Sequence, residues 1–438
     1  MTRVAVIGTG ISGSAIARML SVEHDVTVFE AANSVGGHAN TVDVTISGTT
    51  FPVDTGFMVF NDRTYPNFCR MLDLLEIESQ PSDMSFSVQC ASTGIEYQGS
   101  SLSGVFAQRS NCLRPSFLRM LADIGRFNRR GRAAAGSAEL RDGRTVGEFI
   151  ESIGVSEAFI DQYLVPMAAA IWSSKPQAIL DFPAEFMIGF FANHGLLQIR
   201  DRPQWRTIVN GSRTYQYALL EPIIDRVRLA CPVASVVRTI DGVDVTPVNN
   251  VPEHFDHVVF ATHADQTLRI LNDATSIERK VLGEFPYQPN EAVLHTDIGM
   301  LPSRRRAWAS WNYHTTVGTQ QAASLTYDLS RLQSHESATP ILLTLNGSDG
   351  IDSSKVIRTL NYEHPHYSRT SLVAQARHSE ISGVGRTHFC GAYWGFGFHE
   401  DGLNSALAVG RSFGVGLDTI AGDLSVHASS FEHLIGTY

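Results

Sequence analysis

The loop Gly8-Thr9-Gly10-Ile11-Ser12-Gly13, the carboxylate of Glu30 and the pair Gly36-Gly37 with His38 behind it are the residues whose types and spacing point to chemistry. Gly8 lets the chain turn tightly, Gly10 lets backbone approach a pyrophosphate, and Gly13 lets a helix pack closely on a strand. A helix beginning at Ile11 and Ser12 would aim its free N–H groups at the phosphates. Glu30 stands where a carboxylate accepts hydrogen bonds from a ribose. The chemistry is dinucleotide binding. The loop alone fits NAD, FAD or no ligand, but three elements in register on one βαβ unit argue against the last.

The elements that must position these residues are legible around them. Val4, Ala5, Val6 and Ile7 form a short apolar strand of the kind buried in a parallel sheet, and 26–29 supplies a second. Between them Ala15, Ile16, Met19 and Leu20 share one helical face. After residue 80 this rhythm gives way to a mixed stretch with helices expected at 115–130 and 146–153. It resumes near Gly211, with a helix at 215–224, strands at 233–239 and 243–246, and a buried parallel strand at 256–262. Strands are also expected at 291–296, 324–327 and 341–345. Residues 387–395 read as a strand entering a glycine-rich loop, followed by a helix from Gly402 with Leu403, Ala406, Leu407 and Phe413 facing a core. The fold class is therefore α/β with α+β insertions. A discontinuous Rossmann-like domain is expected from 1–80, 205–275 and 385–438, with a second domain of mixed sheet and helices from 81–204 and 276–384.

The 438 residues are enough for two domains, and a net charge of −10 argues against nucleic acid as a partner. Five scattered cysteines without CxxC spacing indicate neither a disulfide framework nor a zinc site, and no metal is expected. No run approaches the ~18 apolar residues of a membrane span; the longest candidate, 186–197, contains Asn193 and His194. With no apparent leader, a cytoplasmic location is expected.

Taken together, GTGISG, Glu30, VGGHANT and Phe51-Pro52-Val53-Asp54-Thr55-Gly56 resemble the flavin superfamily of amine oxidases, protoporphyrinogen oxidase and phytoene desaturases. A closer similarity, carried by GGHANT, the Ala-Ile-Trp-Ser run at 170–173 and GFHEDGL at 397–403, is to bacterial flavoproteins resembling the N-terminal flavin domain of plant cyclopropane fatty-acyl synthases. The resemblance implies FAD as cofactor. It assigns Gly8, Gly10, Gly13, Glu30, Ala31, Gly36, Gly37 and His38 to the ADP half, pyrophosphate and ribityl chain. Gly56, Phe57 and Met58 would approach the isoalloxazine ring and Val233 the adenine. Ala261 ends the matching strand, and Gly391, His399, Gly402 and Leu403 form the C-terminal FAD segment.

The same resemblance puts His38 and His399 beside the flavin as candidate acid–base catalysts, with cofactor positioning as the competing role. Trp172, Trp311, Tyr393, Trp394 and Phe396 are candidates for the wall of an apolar substrate tunnel, with plain core packing as the alternative. Two departures weaken an ordinary amine oxidase reading. Asn290-Glu291-Ala292-Val293-Leu294 stands where many amine oxidases carry a lysine near N5, and the chain holds only Lys175, Lys280 and Lys355. Ala392 follows Gly391 where a glutamate is usual, leaving Glu400 or Asp401 as substitutes. A second GxGxxG for NAD(P)H is missing.

The expected activity is FAD-dependent removal of hydride from a carbon of an apolar substrate, an acyl lipid or polyene, to the flavin N5. Oxidation of an amine or amino acid and a flavin-binding accessory partner of a lipid-modifying enzyme are the alternatives. The arginines between Arg109 and Arg132, with only Asp123 among them, read as a solvated helix face or as a peripheral contact with an anionic membrane surface.

Overall fold

The computed structural model describes residues 1–315 and 324–421; the C-terminal part of the expected 385–438 segment and part of 276–384 lie outside them. The wholly apolar run after Arg3 becomes the strand Arg3–Ile7 at the centre of a five-stranded sheet, flanked on one side by Asp25–Phe29 and on the other by His257–Phe260. Val227–Arg228 and Thr387–Phe389 close the two edges, and every pairing is parallel. Because side chains alternate along a strand, Val4 and Val6 enter one core and Ala5 and Ile7 the other. Full burial of each Val or Ile contributes about 1.5–3 kcal/mol, which is why the strand is apolar on both faces.

The first core is closed by the helices Ile11–Leu20, Pro66–Leu74, Arg213–Leu220 and His399–Ser412. The second is closed by the antiparallel strands Val233–Arg238, Val243–Pro247 and Glu253–Phe255 and the helices Ala264–Ile270 and Ser276–Leu282. The helix expected at 215–224 stops at Leu220, and Glu221–Arg226 continues as a tighter turn with Pro222 in its first residues.

A seven-stranded, largely antiparallel sheet forms the second layer, in the order Val356–Pro365, Tyr287–His295, Leu342–Leu345, Ser324–Asp328, Trp311–Thr315, Phe86–Cys90, Ile95–Gln98. Its core also takes in the helices Pro115–Ala134, Val146–Ile153, Val165–Trp172 and Ala184–Asn193. The apolar stretch at 186–197 is thus an interior helix. The mixed α/β architecture read from the sequence is present: a parallel sheet layer and a mixed sheet with many helices.

Candidate flavin site

Glycine geometry builds the cradle. Gly8 has φ +100°, and a Cβ there would lie 2.8 Å from the Ala261 carbonyl oxygen; a Cβ on Gly13 would lie 2.0 Å from the Gly8 carbonyl oxygen. Both positions therefore exclude larger residues. Gly10 differs. A Cβ there would meet nothing within 4 Å, so the space beside it is open. Gly10 is also the N-cap of Ile11–Leu20, whose first turn has no side-chain cap and no acidic residue. An uncapped helix end facing open space is what a pyrophosphate needs.

Glu30 shapes the far side of the loop. One carboxylate oxygen accepts from the Thr9 N–H and hydroxyl at 2.9 and 2.5 Å, and the other from the Ala32 N–H at 2.8 Å. A carboxylate has about four acceptor sites, so one oxygen retains capacity for a ribose hydroxyl. The Thr9 hydroxyl also accepts from the Gly36 N–H, and a Cβ on Gly37 would lie 3.4 Å from the Gly10 Cα. The two glycine segments face one another. Cys231 N–H donates to the Glu30 carbonyl and Ala230 N–H to that of Ala32, tying the chain just before Val233 to the segment that holds Glu30.

The C-terminal segment closes the cradle from the other end of the chain. Ser12 Oγ donates to the Gly402 carbonyl at 2.8 Å, and a Cβ on Gly402 would meet Ile11 at 2.8 Å. Two helix N-termini therefore lie side by side. Leu403 is fully buried in the core, so only its backbone is available to a ligand. Gly391 N–H donates to Ser405 Oγ, which fixes the loop to the same helix. These residues fit the FAD implied by the resemblance: an open glycine cradle, a carboxylate with a free acceptor site and two converging helix ends.

Glu400 and Asp401 are already committed. Glu400 accepts from the N–H groups of Asn67 and Phe68 at the start of Pro66–Leu74, and burial raises its carboxyl pKa. Asp401 accepts from the Phe398 N–H at 2.9 Å, and burial pushes it up to about 6. Both carboxylates satisfy backbone donors at helix or loop ends.

The two candidate catalysts part company. His399 is buried, stacks flat on Phe57 with centroids 3.4 Å apart, and shares its Nε2 with the Tyr215 hydroxyl at 2.8 Å. Burial, then the neighbouring His38, holds it well below the ordinary histidine value. Its Nε2 is thus engaged inside the core. His38 is half-buried and surrounded by Tyr362, His364 and His263 at 5.1, 5.3 and 6.1 Å between centroids. Burial, then His263, lowers its pKa to about 4, so at neutral pH it is an uncharged imidazole able to accept a proton. Its carbonyl takes the Phe57 N–H, and a Cβ on Gly56 would lie 2.2 Å from that oxygen. Met58 is anchored by its own carbonyl, which accepts from Thr207.

Several residues that local sequence did not single out complete this corner. Tyr362 and His364 alternate on Val356–Pro365, which pairs with Tyr287–His295 so that Asn290 lies opposite Tyr362. Asn290 is buried, bonds His364 at 2.8 Å and accepts from Asn346 at 2.7 Å. Tyr362 OH bonds Thr55 and Asn40. A neutral amide network therefore stands at the start of the 290–294 segment. Only the dense histidines at 364 and 366 hinted at it in sequence.

The aromatic candidates divide. Trp172 packs against Phe182, Phe186, Phe190 and Phe191, and Phe396 against Phe186 and Phe190. Trp311, on the mixed sheet, contacts Tyr327. Tyr393 and Trp394 turn the other way, onto Phe285 in the core behind the parallel sheet, and do not join that wall. Phe398 stacks on Phe190 at 5.0 Å. It borders a cleft of about 370 Å³ with exposed Arg63 and Asn404 at its rim and buried Tyr65 and His194 at its floor.

Comparison with known proteins agrees with this geometry. The family profile described as flavin containing amine oxidoreductase matches residues 11–293. A curated relative, probable flavin-containing monooxygenase 1 of Arabidopsis thaliana, is 38% identical over 103 residues, 22% of this chain and 19% of that protein, so the match spans about a fifth of the relative. Cyclohexylamine oxidase from Brevibacterium oxydans IH-35A shares the fold with a TM-score of 0.66 at 15% identity, over 97% of this chain and 99% of that one. CLA-producing fatty acid isomerase from P. acnes gives 0.67 at 15%, over 94% and 99%. Putrescine oxidase bound to putrescine gives 0.64 at 14%, over 94% and 98%.

Proposed function

This chain belongs to the flavin containing amine oxidoreductase family, and from that premise we propose that this FAD-dependent oxidoreductase acts on an apolar substrate of acyl-lipid or polyene type. The carrying observation is the cleft that Tyr65, Phe396 and Phe398 line together with the polar Arg63, Asn67, Glu400, Asp401 and Asn404. Such a lining suits an amphiphile with a polar head and an apolar chain. Motif likeness to the flavin domain of plant cyclopropane fatty-acyl synthases supports the same substrate class, and so does the replacement of a lysine by Asn290.

When bound, FAD supplies a two-electron acceptor that takes hydride from a substrate carbon. Gly56, Phe57 and Met58 hold that face of the site in place, Phe57 through its stack on His399. Phe396 and Phe398 pack on Phe190 and present aromatic surface to the cleft. For a desaturation the second hydrogen would leave as a proton, its bonding pair closing the new double bond, with His38, uncharged at neutral pH, as the candidate acceptor of that proton. A further turnover would need dioxygen or another two-electron acceptor.

Anaerobic mixing of the purified yellow protein with acyl-lipid, polyene and amine panels tests the reading. Loss of oxidised-flavin absorbance with the first two supports it. Bleaching by amines alone would move the assignment to amine oxidation, and a flavin reduced by none of them would favour a flavin-binding accessory of a lipid-modifying enzyme.

A further inference from the structure

Far along the chain from the glycine cradle, residues 97–138 carry seven arginines and one carboxylate, Asp123, within a molecule of net charge −10. Asp123 is 1% exposed, accepts from the Ser156 N–H at 2.9 Å and pairs with Arg119 and Arg126. No carboxylate of this segment therefore faces solvent. Three leucines protrude from the same segment: Leu102 is 80% exposed, Leu113 86% and Leu118 44%.

Phe106, just after Leu102–Val105, meets Phe117 of Pro115–Ala134 edge-on at 6.2 Å, so the segments carrying these leucines adjoin. Leu113 lies one residue before the N-cap of Pro115–Ala134 and Leu118 is that helix's fourth residue, a spacing that sets both at the same helix end. Arg114, between them, donates to the Thr93 carbonyl. Leu102 opens the short helix Leu102–Val105, which packs beside the turn Arg305–Ala307 and so brings exposed Arg305 and Arg306 to its side. Single exposed leucines are ordinary on a protein surface. Three of them on adjoining segments that also carry exposed Arg109, Arg305 and Arg306, with the local carboxylate withdrawn, are not explained by solvation.

We propose that this face docks the protein peripherally on anionic membranes, with Leu102, Leu113 and Leu118 entering the acyl boundary and Arg109, Arg305 and Arg306 meeting the head groups. Protruding apolar side chains interleaved with basic ones match a bilayer interface. Nucleic acid would engage the arginines and leave the leucines in water, so the membrane is the partner that uses both. Among the described residues no helix is long and apolar enough to cross a membrane, which makes the contact interfacial.

The test is sedimentation of the FAD-loaded full chain with vesicles of equal parts phosphatidylglycerol and phosphatidylcholine, against pure phosphatidylcholine. The protein should pellet with the anionic vesicles and be released by high salt. Arg109→Ala and Arg306→Ala should each weaken partitioning about five-fold, and Leu102→Ser with Leu113→Ser should abolish it. Unchanged flavin absorbance and melting temperature identify these variants as folded. Equal pelleting with both vesicle types, or of wild type and variants alike, would overturn the proposal. So would a vesicle-inert protein that retains duplex DNA, or one whose leucine variant changes only its oligomeric state.

Discussion

Ser12 donates its hydroxyl to the Gly402 carbonyl at 2.8 Å, joining the first helix of the chain to the last long one. Gly402→Ala would push a methyl to 2.8 Å from Ile11, separating the two helix ends at a cost of about 1–3 kcal/mol. Ser12→Ala removes only the hydrogen bond, about 1 kcal/mol. FAD titration of both apoproteins should show Gly402→Ala binding far more weakly, with Ser12→Ala intermediate. Equal affinities would mean that the cofactor does not use this junction.

Gly10 and Gly13 should fail differently. A Cβ on Gly13 has no room and should unfold the sheet end, losing at least about 3 kcal/mol. A Cβ on Gly10 meets no protein atom, so Gly10→Ala apoprotein should melt near the wild-type temperature while losing FAD. Denaturant melts paired with flavin fluorescence decide this, and a Gly10→Ala protein that keeps FAD would contradict a pyrophosphate at that spot.

His38 and His399 should separate in pH dependence. His38→Gln should slow substrate reduction of the flavin and remove an acid limb from its pH profile. His399→Gln should leave the profile's shape intact and lower the melting temperature, because its loss frees the buried Tyr215 hydroxyl. Tyr215→Phe should partly repeat the His399 effect.

Acid should destabilise the protein through its buried imidazoles. His388 is 4% exposed, and burial, then His257 and His378, depress it from 6.5 to about 4. Its folded value is the lower one, so its contribution is complete above about 6.5 and disappears as pH falls to about 4, amounting to about 3 kcal/mol at most. Asp54 runs the other way. Burial raises it to about 6 against the hydrogen bonds from Thr41 and Ser212, so its contribution is complete below about 3.8 and lost as pH rises through 6. Melting temperature should fall between pH 6.5 and 4.5, and His388→Gln should flatten that slope.

The expectations from sequence were strongest where chemistry is local. Gly8, Gly10, Gly13 and Glu30 sit within one βαβ unit, and the conformations they need depend on neighbours a few residues away. The helix Val146–Ile153 was equally legible, since its Thr145 and Glu148 form a capping box. The corner of Tyr362, His364 and Asn290 was not, because strand register across about seventy residues sets it and period-two patterning does not reveal the partner.

By itself, the sequence determined a dinucleotide cradle at the N-terminus, an α/β fold and, through its motifs, a flavin. Those follow from the spacing of the glycines, two of which, Gly8 and Gly13, leave no room for a side chain, and from apolar runs that must be buried. Only the tertiary structure decided what each polar side chain is free to do. It spent His399 on Tyr215, Glu400 on a helix end and Asp401 on a loop, because buried donors must find acceptors. It left His38 neutral and partly open among Tyr362, His364 and His263, since burial and like charge disfavour the imidazolium there.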